Sequence, residues 1–195
     1  MTEYQLRISY GAPAYQDQPE GQARKAELEK EFGLTGHEAS VGTGAEGPGI
    51  AFLVDIADLI KTYGGYALFV LVKGKDITEA ITFYIEVGKR LARYVKGHYT
   101  YLEWNGAYAL AVKAIVEHLG VLPKSLVLEG YGLGDPSGGG WDHEVELTEI
   151  GELPRHAGAF LPHHFQFKVN GGARLKAIVN PNGVLIVELP PKKAA

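Results

Sequence analysis

Histidine and carboxylate residues gather in the last third of the chain, and they are the first candidates for chemistry. The group comprises Asp135, Asp142, His143, Glu144, His156, His163 and His164. A histidine beside a carboxylate can act as a general base or bind a metal ion. No spacing in the group matches a pattern of metal ligands, and on a strand His163 and His164 would point to opposite faces. We keep Asp142, His143 and His163 as candidate catalytic residues and expect no metal site.

A glycine-rich loop is the second candidate, because residues 42–47 read Gly-Thr-Gly-Ala-Glu-Gly and match the pattern GxGxxG. In a dinucleotide-binding fold such glycines let the backbone approach a pyrophosphate at a helix N-terminus. Gly42, Gly44 and Gly47 are therefore the candidate cofactor-binding residues. The strand before them is short and polar, Pro48 interrupts the path onward, and no acidic residue ends a clear strand about 20 positions later. We expect a flexible connection and no bound cofactor.

Basic side chains lie near tyrosines in the middle of the chain. They are Lys73, Lys75, Lys89, Arg90, Arg93 and Lys96, with Tyr84, Tyr94, Tyr99 and Tyr101. Such a mixture can hold a phosphate backbone and stack on bases. Helix C-termini, however, favour Lys and Arg through the helix dipole alone, and the net charge of the chain is −4. We do not expect nucleic acid as a partner.

The composition is that of a globular protein with one sizeable core. The chain has 195 residues, of which 46% are hydrophobic and 22% charged. It has no cysteine, which removes disulfides, thiolate catalysis and cysteine-based zinc sites. The first residues lack the basic and apolar regions of a secretory signal. We expect a cytoplasmic protein.

The most apolar stretch of the sequence is Gly49–Val72, and it follows the glycine-rich loop directly. We predict a helix over Ile50–Thr62 that is apolar on nearly every side. Its few polar residues, Asp55, Asp58, Lys61 and Thr62, would form one narrow stripe. Tyr66–Val72 reads equally as a buried strand or a second helical piece. A helix of this kind needs cover from the protein's own core, from other copies of the chain or from lipid.

A membrane role for this segment is an alternative that the sequence leaves open. Ile50–Val72 is long enough to cross a bilayer at about 1.5 Å per residue. Each of its three charged residues costs roughly 2.5–3.5 kcal/mol near the bilayer centre, and each apolar residue returns only about 0.3–0.6 kcal/mol. The summed free energy of inserting the segment into the bilayer is near zero, so membrane insertion is not favoured.

Periodicity predicts the remaining elements. Three helices are predicted: Glu20–Phe32, Ile77–Lys96 and Ala107–Leu119. The first ends at Gly33, the second has one apolar face, and the third is largely buried. The strands are residues 3–10, His37–Val41, Leu126–Tyr131, Glu144–Ile150, His163–Val169, Arg174–Val179 and Val184–Leu189. The stretch Asn180–Gly183 reads Asn-Pro-Asn-Gly and predicts a hairpin turn between the last two strands.

These elements indicate an α+β fold with a βαβ-like N-terminal part, central apolar helices and a C-terminal antiparallel β-sheet. We place the α/β part at residues 1–120 and the antiparallel part at 121–195, sharing one core.

No motif establishes a reaction, so we expect a non-catalytic interaction or assembly protein whose partner is itself or another protein. It would self-associate through its apolar helices or its strand edges. The predicted interface residues are Phe52, Leu53, Ile56, Leu59, Ile60, Ile81 and Ile85. The alternatives are a small nucleotide- or ligand-binding enzyme that uses the Gly42–Gly47 loop, and a membrane-active effector that uses Ile50–Val72.

Overall fold

The computed structural model describes residues 5–11, 19–39, 49–63, 78–97, 100–134 and 162–190. Within these ranges the elements, in chain order, are β1 (Gln5–Gly11), α1 (Pro19–Phe32), β2 (Gly36–Ala39), β3 (Gly49–Asp55), α2 (Ala57–Thr62), α3 (Thr78–Val95), β4 (Thr100–Leu102), α4 (Trp104–Leu119), β5 (Leu126–Leu133), β6 (His163–Val169), β7 (Ala173–Asn180) and β8 (Gly183–Leu189). The predicted α+β class, with its C-terminal antiparallel sheet, is confirmed.

The N-terminal sheet, sheet A, has the strand order β2-β3-β1-β4 with antiparallel neighbours throughout. Strands β1 and β2 are both antiparallel to β3, so they run parallel to each other with β3 between them. Helix α1 connects them, which makes a βαβ unit split by an inserted strand. The alternation predicted for the first strand is present, because Leu6, Ile8 and Tyr10 are buried on one face.

The prediction of one helix over Ile50–Thr62 is wrong, because Ile50–Asp55 belongs to strand β3 and only Ala57–Thr62 is helical. Strand β3 pairs with β1 on one side and β2 on the other. Phe52 is buried on one face of the sheet and Ala51 on the other. A strand covered on both faces has no polar alternation, so its sequence resembles that of a buried helix.

Helices α3 and α4 pack closely because α3 has a glycine at the crossing. A Cβ atom on Gly88 would lie 2.6 Å from the carbonyl oxygen of Ala109 in α4. Helix α3 agrees with the predicted Ile77–Lys96 to within one residue at each end, whereas α4 begins three residues before the predicted Ala107. Gly120 ends α4 in the left-handed conformation, with φ of 68°.

The C-terminal sheet, sheet B, has the order β5-β6-β7-β8, again with antiparallel neighbours. The predicted hairpin turn is confirmed, because Asn180 pairs with Gly183 across it. The turn between β6 and β7 contains Asn170 at a φ of 49°. Its side-chain oxygen accepts hydrogen bonds from the backbone N–H groups of Lys124 and Ser125, at 2.8 and 3.1 Å. This turn therefore holds the segment that leads from α4 into β5.

Helix α4 lies between α3 and sheet B, and its surroundings explain why it is apolar almost all round. The Tyr108 ring of α4 is 5.0 Å from the Tyr84 ring of α3 and 5.5 Å from the Phe165 ring of β6. Buried residues of both sheets and of these helices form one hydrophobic core. Two predicted elements, Tyr66–Val72 and Glu144–Ile150, lie outside the described residues.

Candidate functional site

Of the candidate catalytic residues, the structure describes only His163. Asp142 and His143 lie outside the described residues, as do the candidate cofactor-binding glycines Gly42, Gly44 and Gly47. His163 begins strand β6, and its side chain is 3% exposed. It therefore lies within the core and not on a surface that a substrate can reach.

Both ring nitrogens of His163 have hydrogen-bond partners. Nε2 lies 2.9 Å from the backbone oxygen of Leu102 in β4, and Nδ1 lies 2.9 Å from the hydroxyl of Tyr131 in β5. A carbonyl oxygen can only accept, so Nε2 carries the hydrogen and Nδ1 accepts the Tyr131 O–H in the neutral ring. Burial lowers the pKa of His163 to about 4. The ring is thus neutral, and both of its nitrogens are engaged in hydrogen bonds. Neither nitrogen is available to take a proton from a substrate, so the arrangement does not suit a general base.

His164 lies on the opposite face of β6. We call this face of sheet B, which points away from α4, the outer face. The imidazole is nonetheless buried and packs against Gly134, where a Cβ atom would lie 2.7 Å from Nε2. Burial lowers the pKa of His164 to about 4, with a smaller contribution from Lys176. Among the described residues, the structure shows no hydrogen-bond partner for His164 Nδ1 and no group of three His, Asp or Glu side chains that would hold a metal ion.

The predicted interface residues belong largely to the chain's own core. Phe52, Ile56 and Ile81 are fully buried there. The other four, Leu53, Leu59, Ile60 and Ile85, are half-buried. In this conformation the chain itself buries three of the seven predicted interface residues completely and the other four in part.

A bidentate ion pair between Arg90 and Asp58 connects helix α2 to helix α3. The Arg90 guanidinium donates to the Asp58 carboxylate at 2.9 and 2.6 Å and to the backbone oxygen of Asp55 at 2.7 Å. Hydrogen bonding by Arg90 lowers the pKa of Asp58 to about 2. Because Asp58 is exposed, the contact positions α2 more than it stabilises the fold.

Exposed large apolar side chains of the described part lie elsewhere, at Val121 and Leu122 after α4 and on strand β8. Leu185 is 45% exposed and Val187 is 37% exposed. Both lie on the outer face of sheet B, where Leu185 pairs with Ile178 and Val187 with Lys176 of β7. The interface prediction did not include these residues. A signal was available, since Gly183–Leu189 lacks polar alternation, as a strand with an unsatisfied apolar face would.

Strand β8 is also the most regular of the four sheet edges in the described ranges. The edges of sheet A are short, four residues in β2 and three in β4. The other edge of sheet B, β5, is broken by a register shift between Leu128 and Gly130. Strand β8 pairs with β7 along all seven of its residues, without a shift, a proline or a lysine. Proteins usually protect exposed edges with such features, so an edge without them is suited to pairing with another strand.

A comparison with protein-family models, with curated proteins and with solved structures finds no match to this chain. Across the described part, no helix is both long enough and apolar enough to cross a membrane.

Proposed function

We propose that this chain is a non-catalytic assembly protein that pairs with a second copy of itself through the edge of β8 that no described strand covers. The observation that carries the proposal is the regular, apolar edge of β8, with Leu185 and Val187 exposed on its outer face. We assign this assembly to the cytoplasm on the sequence arguments above. Assembly through the interface residues predicted from the sequence is less favoured, because Phe52, Ile56 and Ile81 are buried in the core.

The sequence of β8 is suited to antiparallel pairing with its own copy. In a pairing centred on Ile186, Leu185 of each copy faces Val187 of the other, as two-fold symmetry requires. Four apolar side chains then meet on the outer face. Cross-strand apolar pairs contribute roughly 0.2–1 kcal/mol each, in addition to the backbone hydrogen bonds of the new ladder. The two four-stranded sheets would become one sheet of twice that width.

Charge does not oppose this pairing. The only charged residue in β8 is Glu188, whose exposed carboxylate lies 3.5 Å from Nε2 of His118 at the end of α4. With the two-fold axis at Ile186, Glu188 faces Val184 of the second copy and not the other Glu188. Like charges directly opposite each other, which would destabilise the ladder, are therefore avoided.

The proposal is tested by measuring absolute mass with light scattering on a size-exclusion column at two protein concentrations. We expect the wild type to reach twice the chain mass of 21.1 kDa at the higher concentration. Val187→Lys places a charge in the apolar patch and should yield the mass of one chain.

Val121→Lys is the matched control, because Val121 is 65% exposed but lies outside β8. This variant should behave like the wild type. A wild type with the mass of one chain at both concentrations would refute the proposal, and so would a Val187→Lys variant that keeps the doubled mass.

A further inference from the structure

The two sheets meet at strand β4, and a buried histidine forms part of this contact. His163 of sheet B donates from Nε2 to the backbone oxygen of Leu102 in sheet A, at 2.9 Å. The Thr100 N–H of β4 donates to the oxygen of Pro181 in the β7–β8 turn, at 3.3 Å. We call the contact among Tyr131, His163 and Leu102 the His163 junction. It joins β4, β5 and β6, which are separated by long stretches of chain.

We infer that the His163 junction is an acid-sensitive contact, and that protonation of its imidazole releases β4 from sheet B. In the neutral ring Nδ1 accepts the hydrogen of the Tyr131 hydroxyl. Protonation places a hydrogen on Nδ1, so two donors face each other and the buried Tyr131 hydroxyl must turn its hydrogen elsewhere. A buried polar group that loses its acceptor is costly, and a buried cation without a counter-charge is more so.

The described groups around His163 do not supply a counter-charge. Its ring stacks on Phe165 of its own strand at 6.1 Å, and Val179 of β7 pairs with it. The titratable group that β5 places beside the His163 ring is Tyr131, which is neutral. The titratable group that α4 contributes is Tyr108, whose ring packs on Phe165, the residue that stacks on His163.

On β6 itself the neighbouring titratable group is His164, which disfavours a second positive charge. From β4 the contact is a backbone carbonyl. Among the described residues no carboxylate acts on the ring electrostatically. Burial accordingly lowers the pKa of His163 from 6.5 to about 4, although the hydrogen bond to Leu102 acts in the opposite direction.

The direction of the pH effect follows from these values. In an opened state the imidazole is hydrated and titrates near 6.5, whereas in the closed state it titrates near 4. The closed junction is therefore fully favoured above pH 6.5 and loses stability as the pH falls from 6.5 toward 4. From well above pH 6.5 to well below pH 4 the opening constant should rise about 300-fold, the factor that corresponds to the two pKa values, and about 80-fold of this rise falls between pH 6.5 and pH 4.

The test is amide hydrogen exchange of Thr100, whose N–H is part of the contact between β4 and sheet B. Protection of this amide, corrected for the intrinsic pH dependence of exchange, should fall in the wild type between pH 6.5 and 4. His163→Gln offers a neutral nitrogen to Leu102 and an oxygen to Tyr131 without a titratable group, so its protection should not change with pH.

His164→Gln is the matched control, because His164 lies on the opposite face of β6 and does not bond β4. It should retain the wild-type pH response of Thr100. A His163→Gln variant whose Thr100 protection falls as steeply as in the wild type would overturn the inference.

A second measurement does not depend on any variant. Nitrogen-15 NMR of the wild type should show His163 neutral, with its hydrogen on Nε2, down to about pH 4. A ring that titrates near 6.5, or one that carries its hydrogen on Nδ1, would contradict the inference even if His163→Gln does not fold.

Discussion

The close approach of the two central helices at Gly88 predicts a large effect from adding a single methyl group. A Cβ atom on Gly88 would lie 2.6 Å from the backbone oxygen of Ala109 and 2.9 Å from the Cβ of Lys113. Ordinary contact begins at 3.4 Å, so the first distance must grow by 3.4 minus 2.6, or 0.8 Å. The Ala109 oxygen belongs to the backbone of α4 and cannot move alone. Gly88→Ala therefore requires α4, which also packs on sheet B, to shift as a unit.

The expected magnitude follows from two opposing terms. Inserting a methyl group into a well-packed core costs typically about 1–3 kcal/mol. Replacing glycine by alanine inside a helix gains about 0.8–1.0 kcal/mol. We expect Gly88→Ala to lower the free energy of unfolding by up to about 2 kcal/mol, the larger cost less the gain.

Gly106 of α4 supplies the matched control, because a Cβ atom there would meet nothing closer than Leu91 Cδ1 at 3.5 Å. Gly106→Ala should raise the free energy of unfolding by up to about 1 kcal/mol. The free energies of unfolding of the two variants should differ by about 1–3 kcal/mol. This difference measures the steric cost at Gly88, because both variants gain helix propensity. The assay is urea unfolding followed by circular dichroism. A Gly88→Ala variant as stable as Gly106→Ala would show that α3 and α4 do not cross as described.

Three further predictions concern stability. Asn170→Ala should lower the free energy of unfolding by about 2–3 kcal/mol in urea titrations, since it removes two hydrogen bonds and leaves alanine at a φ of 49°. Asn170→Gly should cost about 1 kcal/mol less, because glycine accepts that conformation, and equal losses would contradict the account. Acidification from pH 6.5 toward 4 should lower the free energy of unfolding by up to about 3 kcal/mol through His163, because its pKa is lowered only in the folded state. His164, whose pKa is also lowered, adds to the loss in the wild type, so the test is the difference from His163→Gln, and identical pH profiles of the two proteins would refute this. Asp58→Asn should lower the free energy of unfolding by less than about 1 kcal/mol, because the carboxylate is exposed. A larger loss would mean that α2 supports the core.

The proposed assembly and the acid-sensitive junction use different parts of sheet B. The edge strand β8 presents Leu185 and Val187 outward, whereas His163 faces inward toward Leu102. Val187→Lys should therefore leave the pH response of Thr100 unchanged, and His163→Gln should leave the mass of the assembly unchanged above pH 6.5. The two ideas can fail independently.

Several features of the fold were determined by the sequence alone, because they depend on residues a few positions apart. The apolar face of the helix predicted over Ile77–Lys96, the end of α1 before Gly33 and the hairpin turn at Asn180–Gly183 were predicted and are present. Helical periodicity, left-handed glycines and turn residues act through local backbone geometry, so no knowledge of distant neighbours is needed.

Other features were decided only by the tertiary structure, because they depend on which distant segments become neighbours. Gly49–Asp55 is a strand since β1 and β2 flank it on both sides, and its apolar run alone could not distinguish this from a helix. His163 has its hydrogen-bond acceptor at Leu102, far away in the chain. Among the described strands, β8 has a neighbour on one side only, because it is the last strand of its sheet. Burial and exposure are properties of the assembled core, and the same apolar residues serve as interior or interface according to what packs against them.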